Sequence, residues 1–179
     1  MKRVMARLVM VSVVVSAAAF AGWSKTGDSS ASFQGTGPAG FKIEGKTKDV
    51  DVKDDGTTVT VVVNLTKLET GIGLRDSHMR DKYIEVAKYP EATLAIPAAS
   101  LKLDDGKTTE AEGQGTFSVH GKSKSVSFKY KAACAGGTCT IDGTADINLK
   151  DYEINVPSYL GVTVKPDIKV LANFQMKKN

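Results

Sequence analysis

Two histidines and one aspartate are the side chains of this sequence best suited to catalysis. His78 lies two positions after Asp76, and an imidazole beside a carboxylate can act as an acid–base pair. His120 is the only other histidine. No nucleophile motif accompanies these residues, and two histidines make an incomplete metal site. We therefore predict a protein that is not an enzyme and holds no metal. A hydrolase-like enzyme using His78 and Asp76 is the less favoured alternative.

A dense charged cluster, RDSHMRDK at residues 75–82, surrounds this pair. It lies within residues 65–94, where a polar segment with helical propensity interrupts a chain that is otherwise rich in strand patterns. We interpret this insert as a lid that joins two strands. Its charges are expected to pair with one another and so to fix the lid. The expected pairs join Arg75 or Arg80 to Asp76, Asp81 or Glu85.

The two cysteines, Cys134 and Cys139, are separated by the turn-forming sequence AGGT between two strand patterns. A hairpin would place them opposite each other, and an oxidising compartment would then join them as a disulfide. Closing so short a loop stabilises the fold by only about 2 kcal/mol in the chain-entropy model. A redox-active pair is less favoured because the C-x-x-C spacing is absent.

The first 21 residues have the pattern of a secretory signal. Lys2, Arg3 and Arg7 precede an apolar run at residues 8–19, and a small-x-small cleavage site ends at Ala21. The apolar run is too short to span a bilayer, so an uncleaved membrane anchor is the less favoured alternative. We predict a periplasmic or secreted protein in which residues 22–179 form a single domain.

Export changes the charge of the protein. The chain has 24 basic and 20 acidic residues, and the signal carries three of the basic ones, so the mature chain has a net charge of +1. It contains no basic tract. This composition predicts no nucleic-acid partner.

Alternation of apolar and polar residues predicts a fold made of strands. Residues 41–52 alternate as one strand, whereas the start of the mature chain, residues 22–28, is expected to be ragged. Proline 166 is expected to mark a bulge or an edge in the last strand. The clearest further strands are residues 57–65, 110–120, 125–132, 139–150 and 162–176.

About eight strands with short turns and a single helical insert leave too little helix to cover an apolar sheet face. The sheet must therefore close on itself or fold over as a sandwich. We predict an all-β fold, an eight-stranded antiparallel lipocalin-like barrel with one short helical lid insert. Eight strands enclose a space that holds side chains or one slender ligand.

Small residues lie on the predicted inner face of this barrel. They are Gly113, Gly115, Gly143 and Ala145. One interpretation is that they leave room for a ligand, because unfilled volume in a solid core is costly. The other is that they relieve crowding where the sheet bends. The residues favour the two interpretations equally.

Several motifs of this chain resemble the signature of the YceI-like, polyisoprenoid-binding proteins. The central ones are TG at residues 70–71, RDSHMR at residues 75–80 and YIEVAKYPEAT at residues 83–93. The later ones are GTFSVHGKSK at residues 115–124 and PSYLGVTV at residues 157–164. Together they extend over nearly all of the mature chain.

The resemblance implies an exported, eight-stranded, lipocalin-like barrel that is capped by a short helix and holds a polyisoprenoid chain, such as a quinone tail. Two features depart from the family pattern. The N-terminal strand has SSASF at residues 29–33 in place of the family's common H-S-x-x-x-F form, and Tyr83 and Ile84 stand where paired aromatic or aromatic-acidic residues are usual. No cofactor other than such a lipid is expected. A ligand of this kind also implies transient contact with a membrane, and a homodimer is left open.

Burial of a polyisoprenoid is physically sufficient for binding. Five carbons per isoprene unit contribute about 3–4 kcal/mol when buried, and association costs on the order of 4–15 kcal/mol. The residues predicted to line the interior and the lid are Val61, Val63, Met79, Tyr83, Ile84, Phe117, Val119, Phe128, Tyr130, Ile141, Ile147, Val164, Val170 and Phe174. In the alternative interpretation these residues form an ordinary core, and the protein is a ligand-free stress-response or interaction module.

Overall fold

The computed structural model describes residues 22–159 and 162–179, and the predicted signal segment lies outside them. Strands make up most of this part of the chain. They are β1 Trp23–Thr36, β2 Lys42–Thr47, β3 Val50–Asp54, β4 Thr58–Asn64, β5 Glu91–Pro97, β6 Thr108–Val119, β7 Lys122–Ala135, β8 Thr138–Asn148, β9 Ser158–Tyr159, β10 Val162–Thr163 and β11 Asp167–Lys178.

Nine of these strands form one antiparallel sheet in the order β2-β1-β11-β8-β7-β6-β5-β4-β3, and β9 pairs with β10 in a separate two-stranded ribbon. The predicted antiparallel barrel is confirmed, with nine strands instead of eight. The additional strand arises because residues 41–52, which alternate as one strand, are divided between two partners. Their first half, β2, pairs with β1, and their second half, β3, pairs with β4.

The sheet closes where β3 approaches the first half of β1. The backbone N–H of Trp23 donates to Oδ2 of Asp54 at 2.8 Å, and the buried hydroxyl of Ser29 donates to the carbonyl oxygen of Lys48 at 3.2 Å. No backbone ladder joins β1 to β3 in the described residues. Hydrogen bonds that involve side chains therefore seal the barrel at this seam.

The two terminal strands differ from their sequence patterns. The stretch expected to be ragged lies within β1, which pairs with β11 on both sides of a bulge between Thr26 and Ser29. Tertiary pairing thus orders a polar stretch that has little intrinsic preference for a strand. Pro166 separates β10 from β11, because proline has no N–H to donate to a ladder.

The hairpin between β7 and β8 contains the predicted disulfide. Cys134 and Cys139 are directly opposite each other in the ladder and are joined through their sulfur atoms. Gly136 and Gly137 both adopt positive φ angles, 58° and 73°, which the tight turn requires. The predicted hairpin disulfide is confirmed.

The predicted helical insert is also present, between β4 and β5. It begins with α1, Gly73–Ser77, which continues directly into a π-helical turn, His78–Tyr83. No helix in the described part of the chain combines the length and the apolar character needed to cross a membrane. We call residues 65–90 the lid, because they leave the barrel at Leu65 and return at Pro90, whose carbonyl oxygen accepts from the Leu65 N–H.

The sequence leaves open whether the inner-face glycines relieve crowding or make room for a ligand, and the structure shows both roles. A Cβ atom on Gly113 would lie 2.5 Å from Cζ of Phe128, and one on Gly115 would lie 2.9 Å from the carbonyl oxygen of Ala95. These two glycines relieve crowding. The nearest atom to a Cβ on Gly143 is the carbonyl oxygen of Ala172, at 3.9 Å. Gly143 alone of the three leaves space in the interior.

Alanine substitutions at two glycines test this division. Gly113→Ala is expected to lower the free energy of unfolding by about 1–3 kcal/mol, because the Phe128 ring must move away from the new methyl group. Gly143→Ala is the matched control and is expected to raise it by roughly 0.5–1 kcal/mol, since alanine is better than glycine inside a strand. Urea denaturation measures both. Equal effects of the two substitutions would contradict the assignment.

Candidate functional site

A large cavity occupies the interior of the barrel, with a volume of about 1070 Å³. Its lining is overwhelmingly apolar. Every residue predicted to line the interior or to lie at the lid borders this cavity, namely Val61, Val63, Met79, Tyr83, Ile84, Phe117, Val119, Phe128, Tyr130, Ile141, Ile147, Val164, Val170 and Phe174. That these residues contact a ligand stays a prediction.

Further cavity-lining residues were not among those predicted. They include Phe33, Leu65, Leu68, Leu94, Ile96, Leu149, Ile154, Ile168 and Met176. Some have a clear signal in the sequence, because Leu65 and Ile168 follow the same alternation as residues that were predicted. Others do not. Leu68 and Ile154 lie in connections, where no periodicity reports which way a side chain points.

The opening of the cavity is marked by three lining residues that are mostly exposed. Phe41 is 60% exposed, Ile72 is 54% exposed and Leu74 is 70% exposed. Phe41 belongs to the turn between β1 and β2, whereas Ile72 and Leu74 belong to the lid. The two segments therefore border one opening, and two polar lid residues, Arg75 and His78, also line the cavity there.

The lid is anchored by a buried carboxylate. Asp76 accepts from the backbone N–H of Thr70 at 2.6 Å and from its hydroxyl, and its side chain is almost completely buried. Burial raises the pKa of Asp76, but the hydrogen bonds from Thr70 and the positive charges of Arg80 and Arg75 outweigh burial and hold that pKa below its ordinary value. The folded lid therefore favours the ionised form.

The two arginines of the lid bind oxygen atoms other than those predicted. Arg75 donates to the hydroxyl of Thr70 at 2.6 Å and to its carbonyl oxygen at 2.9 Å. Arg80 donates to the carbonyl oxygen of Leu68 at 3.0 Å. The predicted ion pairs are wrong, because in the described residues neither arginine forms a salt bridge with Asp76, Asp81 or Glu85. The lid is fixed mainly by contacts to its own first residues.

The other end of the lid is held by Glu85, whose side chain accepts from Lys88 at 2.9 Å and lies 3.1 Å from Nε2 of His120. These two partners lower the pKa of Glu85. Nδ1 of His120 lies 3.1 Å from the carbonyl oxygen of Tyr152. Both neighbours of the ring are acceptors, so both contacts are hydrogen bonds only when the imidazole carries two protons. No sequence pattern connects positions 85 and 120.

The acid–base pair of His78 and Asp76, the less favoured alternative from the sequence, is not assembled. His78 is exposed, and Asp76 is occupied by Thr70. No hydrogen bond joins the two in the part of the chain that the structure describes. Within the same part, no group of three or more histidine, cysteine, aspartate or glutamate side chains is arranged to hold a metal ion.

Known proteins match this chain in sequence pattern and in fold. The family model of the YceI-like domain matches residues 24–176. No curated protein sequence matches the chain.

Among solved structures, a polyisoprenoid binding domain from Saccharophagus degradans superposes with a TM-score of 0.73 at 17% identity, covering 88% of this chain and 98% of that domain. BcnA from Burkholderia cenocepacia superposes with a TM-score of 0.66 at 18% identity, covering 82% and 95%. The YceI protein of Campylobacter jejuni gives 0.56 at 16% identity, covering 76% and 85%. At these identities the likeness establishes the fold.

Asp76→Ala is expected to loosen the lid. The substitution leaves the Thr70 N–H and hydroxyl without their acceptor, which costs about 1–3 kcal/mol of lid stability. Hydrogen exchange of the amides in residues 70–84 should become faster, with little change in β6 and β7. Asp81→Ala is the matched control in the same lid, since the Asp81 side chain is exposed and forms no hydrogen bond or salt bridge among the described residues. Equal acceleration in both variants would contradict the anchor.

The same anchor predicts a pH dependence. Because the pKa of Asp76 is lowered in the folded lid, its stabilising contribution is complete above the ordinary aspartate pKa of about 3.9 and is lost as the pH falls through the lower folded-state value. Lid protection, corrected for intrinsic exchange, should therefore decline below about pH 4 in the wild type. In Asp76→Asn that decline should be absent.

Proposed function

Because this chain belongs to the YceI-like family, we propose that it binds a single polyisoprenoid chain, such as the tail of an isoprenoid quinone, inside the barrel. The protein sequesters or carries this lipid after export to the periplasm or the cell exterior. The proposal is a binding role without catalysis. The family match supports it, and the structural neighbour from Saccharophagus degradans is described as a polyisoprenoid binding domain.

The observation that carries the proposal is the size and chemistry of the cavity. A volume of about 1070 Å³ matches the upper end of ligand pockets in proteins, which span roughly 300–1,000 Å³ and are lined mainly by apolar side chains. Apolar walls offer water few partners. An apolar occupant therefore suits this interior better than vacuum or water.

The shape of the cavity favours a long and slender occupant. Ile168 and Met176 both line it and lie eight residues apart on β11, which corresponds to roughly 26 Å along the strand. Met79 of the lid can adapt to the ligand because its thioether side chain is flexible. Each isoprene unit buried there contributes about 3–4 kcal/mol, so several units exceed the cost of association.

Compartment and chemistry support the same proposal. The disulfide between Cys134 and Cys139 suits an oxidising compartment, and the signal-like pattern of residues 1–21 suits export. A hydrolase using His78 and Asp76 is not favoured, because Asp76 holds the lid. A ligand-free interaction module is not favoured either, because it gives no reason for an apolar hollow.

A bulky residue at Gly143 is expected to block binding. Gly143 is the inner-face glycine with open space beside it, so Gly143→Trp would place an indole across the cavity. Delipidated wild-type protein should bind a labelled polyprenyl quinone at micromolar concentrations, and the variant should bind at least about tenfold more weakly, which is about 1.4 kcal/mol. Ser125→Trp, on the outer face of β7, is the matched control and should bind as the wild type does.

Native mass spectrometry of protein purified gently from its own cells gives an independent test. We expect an adduct whose mass and fragmentation identify an isoprenoid, because an apolar ligand buried in the barrel leaves slowly. Delipidation should remove it, and Gly143→Trp should carry little of it. Gently purified wild-type protein without any adduct, together with no quinone binding after delipidation, would overturn the proposed function.

A further inference from the structure

The three large apolar side chains that are exposed in the described part of the chain all border the opening of the cavity. Phe41, Ile72 and Leu74 are the exposed large hydrophobic residues among those described, and all three line the opening of the cavity. They come from two segments that are far apart in the chain. Large apolar side chains exposed together around one opening are typical of surfaces that contact a partner or a membrane.

Exposed basic side chains also stand beside the opening. We define the rim as residues 36–43, 70–78 and 163–165. Its basic residues are Lys42, Arg75 and Lys165, its single acidic residue is the buried Asp76, and the exposed Glu44 and Glu69 lie one residue outside these bounds. None of the three basic side chains forms a salt bridge within the described residues. The backbone N–H of Lys165 donates to the carbonyl oxygen of Thr36 at 2.8 Å, which attaches the third rim segment to the first.

Apolar side chains beside lysines that form no salt bridge are complementary to a bilayer that contains anionic lipids. The basic side chains can meet the headgroups while the apolar ones enter the boundary of the acyl chains. The rim also continues without a break into the apolar cavity. A membrane-derived chain could therefore pass from one apolar surface to the other without crossing water, a benefit that a soluble protein partner would not explain.

We infer that the rim is a membrane-docking surface, on which the barrel stands with its opening against an anionic bilayer. The inference rests on the proposed function for its purpose, because docking brings the cavity to the source of its lipid. Binding is weak and reversible, since the rim offers three apolar side chains and no helix that enters the bilayer deeply.

Tryptophan fluorescence tests the orientation directly. The chain contains a single tryptophan, Trp23, which begins β1 at the end of the barrel opposite the opening. In a Trp23→Phe background, Phe41→Trp should shift its emission to shorter wavelength when vesicles of phosphatidylcholine and phosphatidylglycerol are added. The wild type, which reports from Trp23, should show no shift on the same vesicles. A shift at Trp23 with none at position 41 would overturn the inference.

Vesicle sedimentation tests which rim side chains contribute to membrane binding. Replacing Phe41, Ile72 and Leu74 together with serine should lower the bound fraction on the mixed vesicles by at least about tenfold. Lys42→Glu with Lys165→Glu should weaken binding to the mixed vesicles but not to phosphatidylcholine alone. Lys177→Glu, at the opposite end of the barrel, is the matched charge control and should bind as the wild type does. Circular dichroism melts confirm that each variant is folded.

The cavity variant Gly143→Trp separates this inference from the proposed function. It should dock on vesicles like the wild type while failing to bind the quinone. If the wild type docks on vesicles but takes up no quinone, the docking surface is supported and the lipid-carrying role is overturned. Quinone binding by a wild type that does not sediment with vesicles would overturn the docking surface alone. A dimer in gel filtration that is lost in the rim variants, together with no vesicle binding, would also overturn the docking surface. The rim would then bind a second copy of this chain.

Discussion

Closure of the β-sheet is the constraint from which the other features of this protein follow. A closed antiparallel sheet satisfies its backbone groups along the ladders, and it leaves an interior whose width depends on the number and tilt of the strands rather than on the side chains inside. The nine strands close into a barrel only because residues 42–54 change partner partway, so that β2 pairs with β1 and β3 pairs with β4. The remaining gap is sealed by Trp23, Ser29 and Asp54. The closed wall encloses more space than its own side chains fill.

The interior shows how local packing and open volume coexist in one barrel. Aromatic rings lie across glycines where neighbouring strands would otherwise leave small gaps, as Phe128 does over Gly113 and Phe33 does over Gly45. Those parts of the wall are well packed. At Gly143 no ring covers the glycine, and the space beside it belongs to the cavity. Glycines on the same face therefore have opposite roles, which depend on the side chain that stands opposite.

The lid connects this wall to the surface. Its first turn is held by Asp76, Arg75 and Arg80, which bind groups at the lid's own beginning, and its end is held by Glu85 against His120 of the β6–β7 turn. Because these polar side chains are held by partners of their own, the lid can bury Met79 against the interior and expose Leu74 at the opening. The charged cluster, which the sequence predicts to fix the lid through ion pairs, holds it instead through hydrogen bonds to Thr70 and Leu68.

Much of the fold and most of the cavity wall follow from the order of residues alone, because alternation along a strand decides which side chains face inward whatever the neighbouring strands are. Val61, Phe117, Ile141 and Phe174 are placed in this way, and the hairpin disulfide follows equally from local turn chemistry. Contacts between distant segments are different in kind. The seam between β1 and β3, the pairing of Glu85 with His120 and the placement of Phe41 and Leu74 at one opening have no local signature. They exist only after the sheet has closed and brought those segments together.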